Sequence, residues 1–122
     1  MSAYLNKLET LYDRLPESWE ALDTIKSLAA HERAEHRIYS IDRLQELLSP
    51  ITVRNLTTLV SELEKNRLIC KRYQVNSEIA GTLDEFDSLD DIPPKIMDPI
   101  VGEIVEVNYD LISIAYRIKK TN

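Results

Sequence analysis

The chain has 122 residues, a formal net charge of −6 and a single cysteine. Such a length suits one domain that buries roughly two-thirds of its unfolded surface, so no metal or disulfide staple is required. The lone Cys70 excludes an intramolecular disulfide and no apolar run approaches a bilayer span, so a reducing, cytoplasmic protein without membrane attachment is expected.

The charge is unevenly spread. Residues 1–75 hold eleven Lys/Arg and eleven Asp/Glu, whereas residues 76–122 hold four against ten, which supplies the whole −6. Residues 50–75 carry Arg54, Lys65, Arg67, Lys71 and Arg72 against Glu62 and Glu64. A mildly basic face and a distinctly acidic one are expected.

Near residue 1, Asn6, Lys7 and Glu9 interrupt any apolar run, so no signal-peptide pattern is expected. The spacing of Leu5, Leu8, Tyr12 and Leu15 predicts a helix over 3–15, with Tyr4 and Leu11 flanking the stripe. Pro16 ends it. A second helix over about 17–34 would bury Trp19, Leu22, Ile25, Leu28 and Ala29, and Arg37-Ile38-Tyr39 reads as a short strand.

Ser40 suits the N-cap of a helix over 41–48 with Ile41, Leu44, Leu47 and Leu48 inward. Ser49-Pro50-Ile51 breaks it, because proline lacks an amide and restricts its predecessor. Thr52 then caps a helix over 53–66 whose inner stripe is Val53, Leu56, Leu59, Val60 and Leu63. Asn66 is expected to stop it in the left-handed conformation.

From Leu68 to Val75 the residues suit a strand. Residues 76–99 combine turn formers with acids, and Leu83, Phe86 and Leu89 are spaced for one helical turn. The stretch 103–118 alternates, with Ile112, Ile114, Tyr116 and Ile118 on one side, Ser113 and Arg117 on the other, and Asn108-Tyr109-Asp110 as an interruption.

The order short strand, helix, Pro-containing turn, helix and then "EKNRLICKRYQV" over residues 38–75 resembles the winged helix-turn-helix superfamily. The resemblance implies an α+β fold in which residues 17–34 are the first helix and 103–118 the returning wing strand. To that pattern the chain adds an N-terminal helix at 1–16, and the winged-helix domain over 17–122 departs from it in an unusually long acidic wing connection at about 76–100. The 3–15 helix would pack on its own domain or form a dimer seam.

In such a fold the outer face of the 53–66 helix enters a major groove. Arg54, Asn55 and Thr58 would then read bases, and Thr52, Thr57, Lys65, Lys71 and Arg72 would hold phosphates. That implies a homodimeric, sequence-specific transcriptional regulator on double-stranded DNA. The alternative is a protein-interaction module or adaptor using the acidic 83–91 segment and the 103–118 strand.

No catalytic constellation is expected. His31-Glu32-Arg33-Ala34-Glu35-His36 misses the His-Glu-x-x-His zinc spacing, and the 84–91 acids lack the glycine and terminal glutamate of a calcium loop. Gly81 and Gly102 are the only glycines, too few for a phosphate cradle, and Cys70 reads as a small core residue. Neither metal nor cofactor is anticipated.

Overall fold

A computed structural model describes residues 3–77 and 81–121. They form two compact units, one of the described residues in 1–70 and 116–122, the other of those in 71–115. The architecture is α+β.

The first unit opens with α1 (Ala3–Arg14), which packs its own face into this unit's core. Its buried stripe is Tyr4, Leu8, Leu11 and Leu15, whereas Leu5 and Tyr12 are half-exposed. The stripe is thus rotated from the predicted one: Tyr4 and Leu11 are inside, whereas Leu5 is half-exposed and Tyr12 packs only at the edge of the core, against Trp19. After a 3-10 turn at Pro16–Ser18, α2 (Trp19–Ala30) buries Ala21, Leu22, Ile25 and Ala29. It is shorter than predicted, since at His31 the backbone turns extended and a separate 3-10 turn occupies Ala34–His36.

β1 (Tyr39–Ser40) leads into α3 (Ile41–Leu47), and α4 (Val53–Lys65) follows after the cis Ser49–Pro50 peptide. Both caps form: the Ser40 hydroxyl accepts from Arg43 N, and that of Thr52 from Asn55 N, each at 3.1 Å. Leu44 on the first of these helices and Leu48 just after it are buried, as are Leu56, Leu59, Val60 and Leu63 on the second. Ile41 and Val53, predicted to face inward, are exposed. Asn66 is not left-handed; its φ is −88°, and Arg67 takes the turn at φ 58°.

β2 (Ile69–Ser77) and β6 (Ile112–Ile118) each begin in one unit and end in the other. Leu68, Ile69, Tyr116 and Ile118 complete the first core. Lys119 N donates to Leu68 O at 3.0 Å and Thr121 N to Ala29 O at 2.9 Å, which ties down the end of this unit. Along β6, Tyr116 and Ile118 of the predicted apolar side are buried and Ile112 is half-buried, whereas Ile114 is exposed; Ala115 is buried as well.

The second unit contains β3 (Gly81–Phe86), β4 (Lys95–Asp98) and β5 (Glu103–Glu106). Hydrogen bonding orders one sheet as β1-β6-β2-β3 and pairs β4 with β5 separately. Leu83 and Phe86, spaced as for a helical turn, lie in β3, which runs antiparallel to β2 with Tyr73 opposite Phe86. Among the described residues of 76–99, helical backbone is confined to a 3-10 turn at Leu89–Asp91. The Asn76 amide donates to Leu111 O at 2.8 Å and Ser113 Oγ at 3.0 Å, and its oxygen accepts from Thr82 Oγ1 at 3.0 Å. Val75, Ile92 and Val107 form the core here, flanked by Tyr73, Phe86, Ile96 and Ile112. A 3-10 turn at Tyr109–Leu111 provides the predicted interruption before β6.

Candidate interaction surfaces

The exposed face of α4 follows directly from its stripe. With Leu56, Leu59, Val60 and Leu63 inward, Arg54, Thr57, Thr58, Ser61 and Lys65 point to solvent and Asn55 is half-buried. No acid interrupts this face before Glu62. Its threonine hydroxyls have local partners: Thr52 serves as the cap, Thr57 Oγ1 donates to Val53 O at 2.8 Å, and Thr58 Oγ1 donates to Arg54 O at 3.1 Å. Lys65 Nζ lies 3.8 Å from Glu62 Oε1, whose other oxygen meets Arg14 at 3.2 Å. Arg54 makes no ion pair among the described residues.

The two remaining cations of the predicted site, Lys71 and Arg72, belong to the second unit. Arg72 is committed internally: Nε donates to Glu85 Oε1 at 2.8 Å, and Nη1 pairs with Asp87. Residues 71–115 hold three Lys/Arg against ten Asp/Glu.

This acidic unit also exposes apolar surface. The β4–β5 register sets Lys95 opposite Glu106, Ile96 opposite Val105, Met97 opposite Ile104 and Asp98 opposite Glu103. Alternation turns Ile96 and Val105 toward the core and leaves Met97 53% and Ile104 65% exposed. Ile100 and Val101 at the turn are exposed as well. Asp98, itself buried, holds that turn by accepting from Ile100 N at 2.9 Å and Val101 N at 3.3 Å. Gly102 N donates to Asp98 O at 2.7 Å, and Gly102 closes the turn at φ 75°. On the inner side a cleft of about 340 Å³ lies among Val75, Leu83, Ile96, Val105, Val107 and Leu111.

Sequence reasoning missed this hairpin because β4 is only four residues long. The signal was Asp98-Pro99-x-x-Gly102 between two short apolar pairs, a turn former followed by a positive-φ position. Cys70 is half-buried rather than a core residue. Among the described residues no helix is long and apolar enough to cross a membrane. Compared with protein-family models, with curated proteins and with solved structures, the chain shows no match.

Proposed function

We propose that this chain is a winged helix-turn-helix module whose partner is another protein, engaged through the β4–β5 hairpin. The winged-helix reading is supported by the order α2-β1-α3-α4-β2 followed by β6, with β6 hydrogen-bonded between β1 and β2 as a returning wing strand would be. The excursion through β3, β4 and β5 is the long acidic wing connection.

The observation that carries the choice of partner is the exposed quartet Met97, Ile100, Val101 and Ile104 on a unit with ten acids and three bases. Exposed apolar side chains gathered on one hairpin of an acidic unit are the pattern of a protein contact, and the acids select a partner with a basic rim. Phosphate binding is poorly served by comparison. Arg54 and Lys65 are the charged members of the α4 face and Arg72 is held by Glu85, so even with Lys71 three phosphate contacts give a salt slope of only about −3.

The experiment compares wild-type protein with the Met97→Asp/Ile104→Asp variant as bait in native lysate. The expected result is a partner that the variant loses while its melting temperature holds, and no micromolar affinity for mixed-sequence duplex DNA by fluorescence anisotropy at low salt.

A second reading, the homodimeric DNA-binding regulator, is favoured by the acid-free outer face of α4. Micromolar anisotropy with a steep salt slope, relaxed in specificity by Arg54→Ala, would establish it in place of the first.

A further inference from the structure

The first unit carries a recess outside both surfaces described above. Glu9, Tyr12 and Asp13 stand at three- and four-residue spacing on α1, and Trp19, Asp23 and Lys26 at four and three on α2. Each trio shares one helical face, and together they line an open recess of about 480 Å³.

Two aromatic rings make a corner of this recess. The rings of Tyr12 and Trp19 meet edge to face, with centroids 6.0 Å apart and planes at 81°. Both are held in place: Trp19 Nε1 donates to Tyr12 O at 3.0 Å, and the Tyr12 hydroxyl donates to Asp23 Oδ1. Yet Trp19 is 58% exposed, although it is the only tryptophan in the chain. A fixed, exposed indole offers a partner a large, rigid, amphipathic surface at little conformational cost.

Charge specifies what it meets. Three carboxylates face one ammonium here, and Glu9 and Asp13 have neither hydrogen bond nor ion pair among the described side chains. Aromatic faces and carboxylates together attract cations. A quaternary ammonium has no N–H to give the carboxylates, and a lysine ammonium is compact and strongly hydrated. A guanidinium is planar, weakly hydrated and rich in donors, so it stacks on an indole while bonding a carboxylate in bidentate fashion. We propose that the Tyr12–Trp19 corner binds an arginine side chain presented by a protein segment, with Asp13 and Asp23 as its carboxylate partners.

Because Trp19 is the sole tryptophan, its fluorescence reports the site directly. Titration with N-acetylarginine amide should give a saturable change with a half-point on the order of millimolar, as suits so small a ligand. The Asp13→Asn/Asp23→Asn variant keeps a side-chain carbonyl oxygen that can accept from the Tyr12 hydroxyl. It should weaken binding at least about tenfold at an unchanged melting temperature. N-acetyllysine amide and tetramethylammonium should bind several-fold more weakly. The Met97→Asp/Ile104→Asp variant should titrate like wild type, which separates this site from the hairpin. The absence of saturation would overturn the assignment, as would an equal response to tetramethylammonium or sodium chloride, or undiminished affinity in the double amide variant.

Discussion

Arg72 reaches Glu85 from the neighbouring strand β2, with 15% of the arginine side chain and 23% of the glutamate side chain exposed. The pair uses a cation that the sequence offered to a phosphate. A part-buried ion pair is costly to break from one side, because the partner keeps its charge after losing its donor. Asp87 is far more exposed and contributes little.

Arg72→Ala is therefore a stability variant. It should cost about 1–3 kcal/mol in denaturant unfolding and leave any DNA affinity unchanged. A loss of DNA affinity at constant stability would return Arg72 to the phosphate-contacting set.

The rotated stripe of α1 gives a second test. Leu11 is fully buried, so Leu11→Ala should cost about 2–5 kcal/mol. Val53 is 66% exposed although its position fits the α4 stripe, so Val53→Ala should stay within about 0.5 kcal/mol of wild type. Urea midpoints for the two variants decide the matter, and comparable losses would mean that Val53 packs against the core.

The β4–β5 turn depends on Asp98 and Gly102 for different reasons. Asp98→Ala removes the acceptor for two amides and should cost about 1–2 kcal/mol, with faster hydrogen exchange at Ile100 and Val101. A Cβ at Gly102 would meet nothing within 4 Å, so Gly102→Ala carries only the strain of φ 75°, about 1 kcal/mol. Exchange rates unchanged by Asp98→Ala would show that the turn holds without its side chain.

Tyr4 predicts an alkaline response. Burial pushes its hydroxyl up from 10.0 to about 12. A pKa higher in the folded than in the unfolded chain means that the unfolded state releases its proton first as pH rises. The stabilisation is thus complete below pH 10 and fades between pH 10 and 12. Tyr4→Phe should flatten that part of the stability profile while costing little at neutral pH, since the bond to Leu68 O is long at 3.4 Å. A wild-type profile that is no steeper than the variant's would exclude Tyr4 as the cause.

Which features were legible in the sequence follows from how local their causes are. The caps at Ser40 and Thr52 need only a hydroxyl and an amide three residues on, and both were readable. The inner stripe of α4 was readable for the same reason. Of the apolar residues wrongly placed inside, Trp19, Ile41 and Val53 are each the first residue of a helix and each exposed. Side chains on a helix lean toward its N-terminus, so a residue at the first position projects past the packed turn. Periodicity carries no warning of that end effect.

The strands of the second unit failed for another reason. Leu83 and Phe86 keep a three-residue interval that a helix would also produce, and what makes their segment a strand is the pairing with Tyr73–Ser77. The ion pairs of Arg72 and the exposure of Met97 and Ile104 depend on that pairing and on the β4–β5 register, neither of which is written in local sequence. The exposure of Arg54, Thr57, Thr58 and Ser61 on α4 was predicted; the hairpin surface was not.

The placement of Tyr116 and Ile118 in the same core as Leu8 and Leu59 has a consequence for the newborn chain. As translation proceeds, the helices emerge first, but their shared interior stays open until the whole of residues 71–115 has been added and the final strand returns. Loop closure over that distance grows only logarithmically in cost, so the delay is one of synthesis time rather than of energy. Throughout that interval the leucines of the first core lack the strand that covers them.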